Sequence, residues 1–454
     1  MRNVQLLSAV IGLAFIGGGA ARAAEQPKYT LAECVRAALT NSPDLGAAAA
    51  DLAAARARLL QAKAGRYGDS TYTQLFGLVN EAHGSPVYSP DNKNDFFQGL
   101  GPFTRMELEV NIPVWTFGKL DAALEAAQQG LESERARGDM RRAEVILNTK
   151  QMYSGLLLAR QLSAVLHDML DTMDKAIKKT EERLETGSSA VTEIDLLKLR
   201  IGRAKFAKGV LQVDASEGLA RSALARAIGI PEGADFDIAD RKLAPLEAHI
   251  DPLETYLAGG VENRPEWRQL VSGVAARSAQ VKLEEAGYYP TVFFSTGIRY
   301  AVAGNRTEQT NPFAYDNFNF LQPVGVFGLR WDLNFFVQQA KVEQARAELE
   351  QVVAERRSAA SGLLLDIRRA YSEVAQQRAT MGTAEQGRKA ARALLILSVS
   401  NFDLGIGEAE ELFKALGAYT EASSDYFRAV HDYNLALAML SKAVGKEVTN
   451  LAYE

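Results

Sequence analysis

Cysteine is almost absent. Cys34 is the only one, so no internal disulfide staples the fold, and with no small-residue lipobox before it, it is not a lipid acceptor; it reads as a buried apolar residue. Histidine is nearly as scarce, and His83, His167, His249 and His431 lie far apart with no metal-ligand spacing. No phosphate loop or dinucleotide fingerprint occurs, and Gly405-Ile406-Gly407 lacks a third glycine and follows a helical pattern, so it reads as a turn. No catalytic, cofactor or metal site emerges. Charge of one sign is also lacking: 51 basic residues stand against 56 acidic ones with no basic tract, which argues against nucleic acid as a partner. After the first residues, no apolar run reaches the roughly 20 residues of a spanning helix.

The N-terminus carries Arg2, an apolar stretch from Val4 to Ile16 and the small-residue site Ala21-Arg22-Ala23. That predicts a secretory signal peptide over residues 1–23; a retained anchor is disfavoured because the stretch is too short to span. Cleavage removes Arg2 and Arg22 and leaves 49 basic against 56 acidic side chains, net −7.

What the sequence has is a duplication. Asn41-Ser42-Pro43-Asp44-Leu45 returns as Asn263-Arg264-Pro265-Glu266-Trp267, and Leu224-Ala225-Arg226-Ala227-Ile228-Gly229 returns as Leu440-Ser441-Lys442-Ala443-Val444-Gly445. A period above two hundred residues is too long for a solenoid and marks one unit copied and fused. Repeat 1 covers 24–230, a Pro/Gly/Asp-rich linker 231–262, repeat 2 263–445, and a short tail 446–454.

Proline is missing from Pro113 to Pro231 and again after Pro323. Both gaps are rich in strong helix formers with apolar residues three or four apart, which predicts long helices. Glycine interrupts each, at about 186–190 and 404–408, so each gap reads as a helical hairpin with its tip there. The arm from near Leu120 to Glu185 would be roughly 100 Å long.

Before each helical hairpin, apolar and polar residues alternate. Strands are expected at about 70–79 and 105–115 in repeat 1, and at about 291–302 and 324–336 in repeat 2. Met106, Leu108, Val110, Ile112 and Val114 would form an apolar face, leaving Glu107, Glu109 and Asn111 on the other with Arg299, Arg330, Asp332 and Asn334. Aromatics at the strand ends, Tyr67, Trp115, Phe117, Tyr288, Tyr289, Phe335 and Phe336, suit the girdle at a membrane interface. A half-buried soluble sheet would also alternate. In lipid, four strands with open edges would have to close by oligomerisation.

In this order and duplication the chain resembles the TolC-like outer-membrane efflux protein family. The segment from Asn401 to Ala415 with Tyr426 and Tyr433-Asn434-Leu435-Ala436 looks like that family's second tip and returning helix. The resemblance implies a mainly α chain with a membrane β-barrel portion, a homotrimer pooling a twelve-stranded barrel in the bacterial outer membrane over an α-helical tunnel in the periplasm. It implies an exit duct of a tripartite efflux or type I secretion system, served by a periplasmic adaptor (membrane fusion protein) and an inner-membrane pump. By resemblance, Gly187 and Gly405, with Glu193 and Gly407 beside them, lie at tips that meet the adaptor. Glu411 matches the first of two aspartates lining the closed entrance; the second is Lys414 here, and a local Glu411/Lys414 ion pair is the alternative to an acidic ring. Acids in a first helical turn also answer the helix dipole, which is the plainer reading of Glu193 and Glu411. The resemblance further implies that the linker forms a belt around the tunnel, to which the short tail adds little. Other readings of the whole chain are a soluble periplasmic coiled-coil scaffold or adaptor and, less well fitted to so much helix, a single-chain porin.

Overall fold

A computed structural model describes residues 27–84, 99–186, 191–231, 233–308, 313 and 315–451. The expected signal peptide lies outside them, as do Gly187 and most of the first tip. In chain order the elements are β1 (Lys28–Tyr29), α1 (Leu31–Asn41), α2 (Pro43–Ala64), β2 (Asp69–Val79), β3 (Gly101–Trp115), α3 (Lys119–Glu185), α4 (Glu193–Ile228), β4 (Asp237–Ile238), α5 (Leu253–Gly259), α6 (Pro265–Glu285), β5 (Thr291–Ala303), β6 (Phe320–Arg330), α7 (Phe335–Leu404) and α8 (Ala409–Val444).

The repeated Asn-x-Pro motif is a helix start. Pro43 and Pro265 open α2 and α6, where a missing N–H costs nothing, and Asp44 and Glu266 lie in the first turns. The other repeated motif ends α4 and α8 with Gly229 and Gly445, both left-handed caps at φ +76° and +71°. The two motifs meet in space. Asn41 donates from Nδ2 to the carbonyl of Ile228 at 2.9 Å, and a Cβ on Gly229 would fall 2.5 Å from that of Asn41. In the second repeat a Cβ on Gly445 would fall 3.1 Å from the Asn263 carbonyl. Each repeat thus closes head to tail at a point only glycine fits.

The long helices follow the proline gaps. α3 has 67 residues and α7 has 70, about 100 Å each. Ion pairs locate their partners: Lys282 to Glu125 (2.9 Å) and Arg268 to Asp139 (2.8 Å) join α6 to the strand-proximal half of α3, while Arg160 to Glu217 (3.0 Å) and Arg200 to Glu181 (2.8 Å) join α4 to its distal half. α7 is matched in the same way by α6 and then α8. Neither α4 nor α8 is long enough to cover its partner, so α2 and α6 complete the layer.

At mid-height the linker wraps this bundle. β1 pairs with β4 in parallel, α5 seats Tyr256 against Ile367 of α7, and the tail returns through a bridge between Thr449 and Ala248. Asn434 of α8, 7% exposed, accepts from the Leu246 N–H and donates to the Ala244 carbonyl, both at 2.9 Å, and so satisfies backbone that has no strand partner. Cys34 is fully buried in the adjoining core, where desolvation pushes its thiol up to about 12 and leaves it inert.

The sheet order is β2-β3-β5-β6, antiparallel throughout, so β2 and β6 are edges. Three expected strand boundaries need correction. β3 starts at Gly101 and β6 at Phe320, each four residues earlier than the alternation indicated. β6 runs over Phe320–Arg330 and not to Phe336: the indole N–H of Trp331 turns to donate to the Tyr288 carbonyl (3.1 Å), and the helix formers after Val337 draw Phe335 and Phe336 into the first turn of α7. Asp332 and Asn334 therefore lie in the sheet-to-helix turn and not on the strand; Asn334 is the residue before α7.

Candidate functional site

Cross-strand register sorts the sheet's side chains into two faces. Tyr72 faces Leu108, which faces Ile298, and the same side carries Phe76, Leu78, Met106, Val110, Ile112, Phe294, Tyr300, Leu321, Phe327 and Leu329. Most of these are exposed, Phe76 and Phe327 by more than 75%. A continuous apolar surface of this kind needs a non-aqueous neighbour. The opposite side carries Asp69, Thr71, Thr73, Arg105, Glu107, Glu109, Asn111, Ser295, Arg299, Gln322 and Arg330. Five of the seven residues expected on the polar face, Glu107, Glu109, Asn111, Arg299 and Arg330, are brought together there. Asp332 stands at its base, around a recess it shares with Asp69, Asn111, Lys119 and Arg330.

Val114 departs from the expected apolar stripe. The ladder passes from Pro113 opposite Phe293 directly to Trp115 opposite Val292, so Val114 is the extra residue of a bulge. The slip moves Trp115 onto the apolar face, where odd positions otherwise point away.

Below this bulge the aromatics collect at one end of the sheet. Phe117 stacks on Tyr289 (centroids 5.3 Å) and meets Trp115 edge-on at 6.0 Å, while Trp331 meets Phe335 at 6.1 Å and bonds the carbonyl of Tyr288. Tyr67 and Phe336 are exposed beside them. Phe117 is the one non-glycine with positive φ (52°) among the described residues. Its two ring contacts hold a backbone that a bulky residue otherwise avoids.

At the far end of the helices, α3 and α7 terminate together. Arg183 donates to the carbonyls of Phe402 (2.9 Å) and Asp403 (2.7 Å), and Lys179 pairs with Asp403 at 2.8 Å, which places two cations on the C-terminus of α7. Gly405 is the left-handed cap at φ +82°, and a Cβ on Gly407 would meet the Phe402 nitrogen at 2.9 Å. Beneath the turn, Met173, Leu196, Leu199, Phe402, Ala409 and Leu412 form a buried core. Thr192 caps α4 in a reciprocal box with Asp195, and Glu193 is the first residue of that helix.

The Glu411/Lys414 ion pair, the alternative to an acidic ring, is not formed. Lys414 binds Glu410 one turn back (3.0 Å), and Lys198 of α4 binds the other oxygen of Glu410 at 3.1 Å. Both spacings put an acid within reach of Lys414, and Glu410 is the one that a second cation, Lys198 of α4, also holds in place. Hydrogen bonds from Lys414 and Lys198 lower the Glu410 pKa, and Glu410 raises that of Lys414. The Glu411 side chain is exposed and makes no hydrogen bond or ion pair among the described residues. The Glu410–Lys414 spacing was visible in the sequence. The Lys198 and Arg183 contacts were not, because they join residues more than two hundred positions apart.

The model of the outer membrane efflux protein family matches residues 34–198 and 261–446, one match on each repeat. The chain belongs to the outer membrane efflux protein family. Its fold is similar to that of the CmeC outer membrane channel of Campylobacter jejuni, with a TM-score of 0.76 at 15% identity over 98% of this chain and 96% of that one. It is also similar to the outer membrane protein VceC of Vibrio cholerae, with a TM-score of 0.71 at 20% identity over 92% and 96%. Protein CyaE of Bordetella pertussis is 23% identical over 329 residues, 72% of this chain and 67% of that protein. As a member of this family, the chain is an outer-membrane efflux protein with a helical periplasmic portion. No helix among the described residues is long and apolar enough to cross a membrane.

Proposed function

We propose that this chain is the passive exit duct of a tripartite efflux or type I secretion system, acting as a homotrimer. The observation that carries the reading is the two-faced sheet with both edges unpaired among the described residues. Each open edge in lipid leaves amides without partners at several kcal/mol apiece, so closure is compulsory. Three copies supply twelve strands, polar faces inward. The helices, about 100 Å long, extend the same lumen into the periplasm.

The tips are then the end that receives substrate from an adaptor and an energised inner-membrane pump. Gly187, Glu193, Gly405 and Gly407 mark the adaptor-facing turns, and the exposed Glu411 faces the entrance as a free carboxylate. Selection among drugs, metal ions and proteins occurs largely in the pump. Purified protein in planar bilayers should open conductive pores with no nucleotide present. Glu411→Ala should change their single-channel conductance or its block by multivalent cations. Pores that require nucleotide would overturn the duct; unaltered current in the variant would reduce Glu411 to a helix-start acid.

A further inference from the structure

Within the trimeric-duct reading, on which this inference rests, the polar face of the sheet acquires an order along the pore axis. Near the outer end, Glu107 lies between two guanidiniums: Arg105 donates to its Oε1 at 2.7 Å, and Arg299, opposite it on β5, lies 3.3 Å from the same oxygen. That cluster carries one net positive charge per chain. One step further in, the Asn111 amide nitrogen lies 3.2 Å from Glu109 Oε1 and 3.5 Å from Asp69 Oδ2. Two carboxylates are gathered there by a neutral donor, and among the described residues no cation pairs with either. At the base, Arg330, Lys119 and Asp332 line the recess beside Asp69 and again sum to one positive charge.

We propose that the barrel lumen is a three-layer charge filter in which a negative waist, Asp69 and Glu109, sits between two positive collars, Arg105/Glu107/Arg299 outside and Lys119/Arg330/Asp332 inside. The eight groups cancel per chain, so net charge conceals the filter. In the trimer the waist holds six carboxylates and each collar a net charge of three.

Geometry decides whether ions on the axis feel this. Twelve strands about 4.8 Å apart and tilted about 40° close at a backbone radius of about 12 Å. The Debye length is about 10 Å at 0.1 M salt, about 30 Å at 0.01 M and about 3 Å at 1 M. The layers therefore reach the axis in dilute salt and are screened in concentrated salt. Along the strand the Glu107/Arg299 level lies two residues, about 7 Å, from Glu109 and Arg105 lies four, about 13 Å, so in dilute salt neighbouring layers partly offset one another and each double variant unmasks the layers it leaves.

The test is the zero-current potential of the full-length protein in planar bilayers across a tenfold KCl gradient, from about 0.1 M to about 0.01 M, repeated with both sides near 1 M. The double variant Asp69→Asn with Glu109→Gln should lower the K⁺/Cl⁻ permeability ratio by roughly threefold or more, because a local potential of one to several kT acts on each passing ion. Arg105→Gln with Arg299→Gln should raise the ratio by a similar factor. Both shifts should vanish near 1 M. Should either double variant fail to assemble, Glu107→Gln adds one positive charge per chain to the outer collar and should lower the ratio. Conducting variants with an unchanged ratio, shifts of the same sign, or shifts that survive 1 M salt would overturn the filter. Wild-type protein that forms no pores would instead overturn the duct reading beneath it.

Discussion

Arginine in place of Leu108 should abolish the assembled barrel, and arginine in place of Val326 should not. Both residues lie within the sheet, yet register assigns Leu108 to the apolar face beside Tyr72 and Ile298, and Val326 to the polar face beside Ser295 and Asn111. A lipid-facing arginine near the bilayer midplane costs about 2–4 kcal/mol in a transmembrane barrel. Three copies make that about 6–12 kcal/mol per trimer, comparable to the whole stability of an ordinary domain. At a luminal position the guanidinium stays in water, and the substitution changes selectivity rather than assembly. The amount of detergent-resistant oligomer in outer-membrane extracts checks this. Equal loss in both variants would mean that the faces are wrongly assigned.

Phe402→Ala should loosen the tip alone. Phe402 is 2% exposed in the last turn of α7, packs on the core shared by α3, α4 and α8, and lies under the Arg183 guanidinium, 5.7 Å from its ring centroid. Truncating a buried phenylalanine costs about 3–5 kcal/mol. Each 1.4 kcal/mol is about a factor of ten, so amide exchange over Ala409–Leu416 should quicken by roughly two to three and a half orders of magnitude. Exchange in β3 and β5, far along the helices, should stay as it is. Acceleration spread over the whole molecule, or none at all, would contradict a tip core that is energetically separate from the sheet.

The architecture was legible because it is written in long, regular patterns. Two proline-free gaps fix two helical hairpins, and alternation at 105–115 fixes a two-faced strand, since a period of two cannot serve a helix. The junctions were less legible. Trp331 to Phe335 alternates as well as any strand, but the indole of Trp331 is spent on the Tyr288 carbonyl and the chain after it is committed to helix. Val114 shows a second kind of miss, because a bulge moves one residue out of the count without a sign in composition. The reason the Asn-x-Pro and Leu-x-x-Ala-Ile/Val-Gly motifs both recur was hidden until Asn41 met Gly229 and Asn263 met Gly445. At the tips, the sequence pointed to Glu411 and Lys414, while the contacts run through Glu410 to Lys198, a residue brought near only by the packing of α4 on α8.

The central claim is that one chain is a third of a closed pore. Its most direct test is the native mass of the protein extracted from outer membranes in mild detergent. The account predicts a single species of three chains. A monomer, or protein recovered in the soluble periplasmic fraction, would contradict it, because β2 and β6 would then have no partners in lipid.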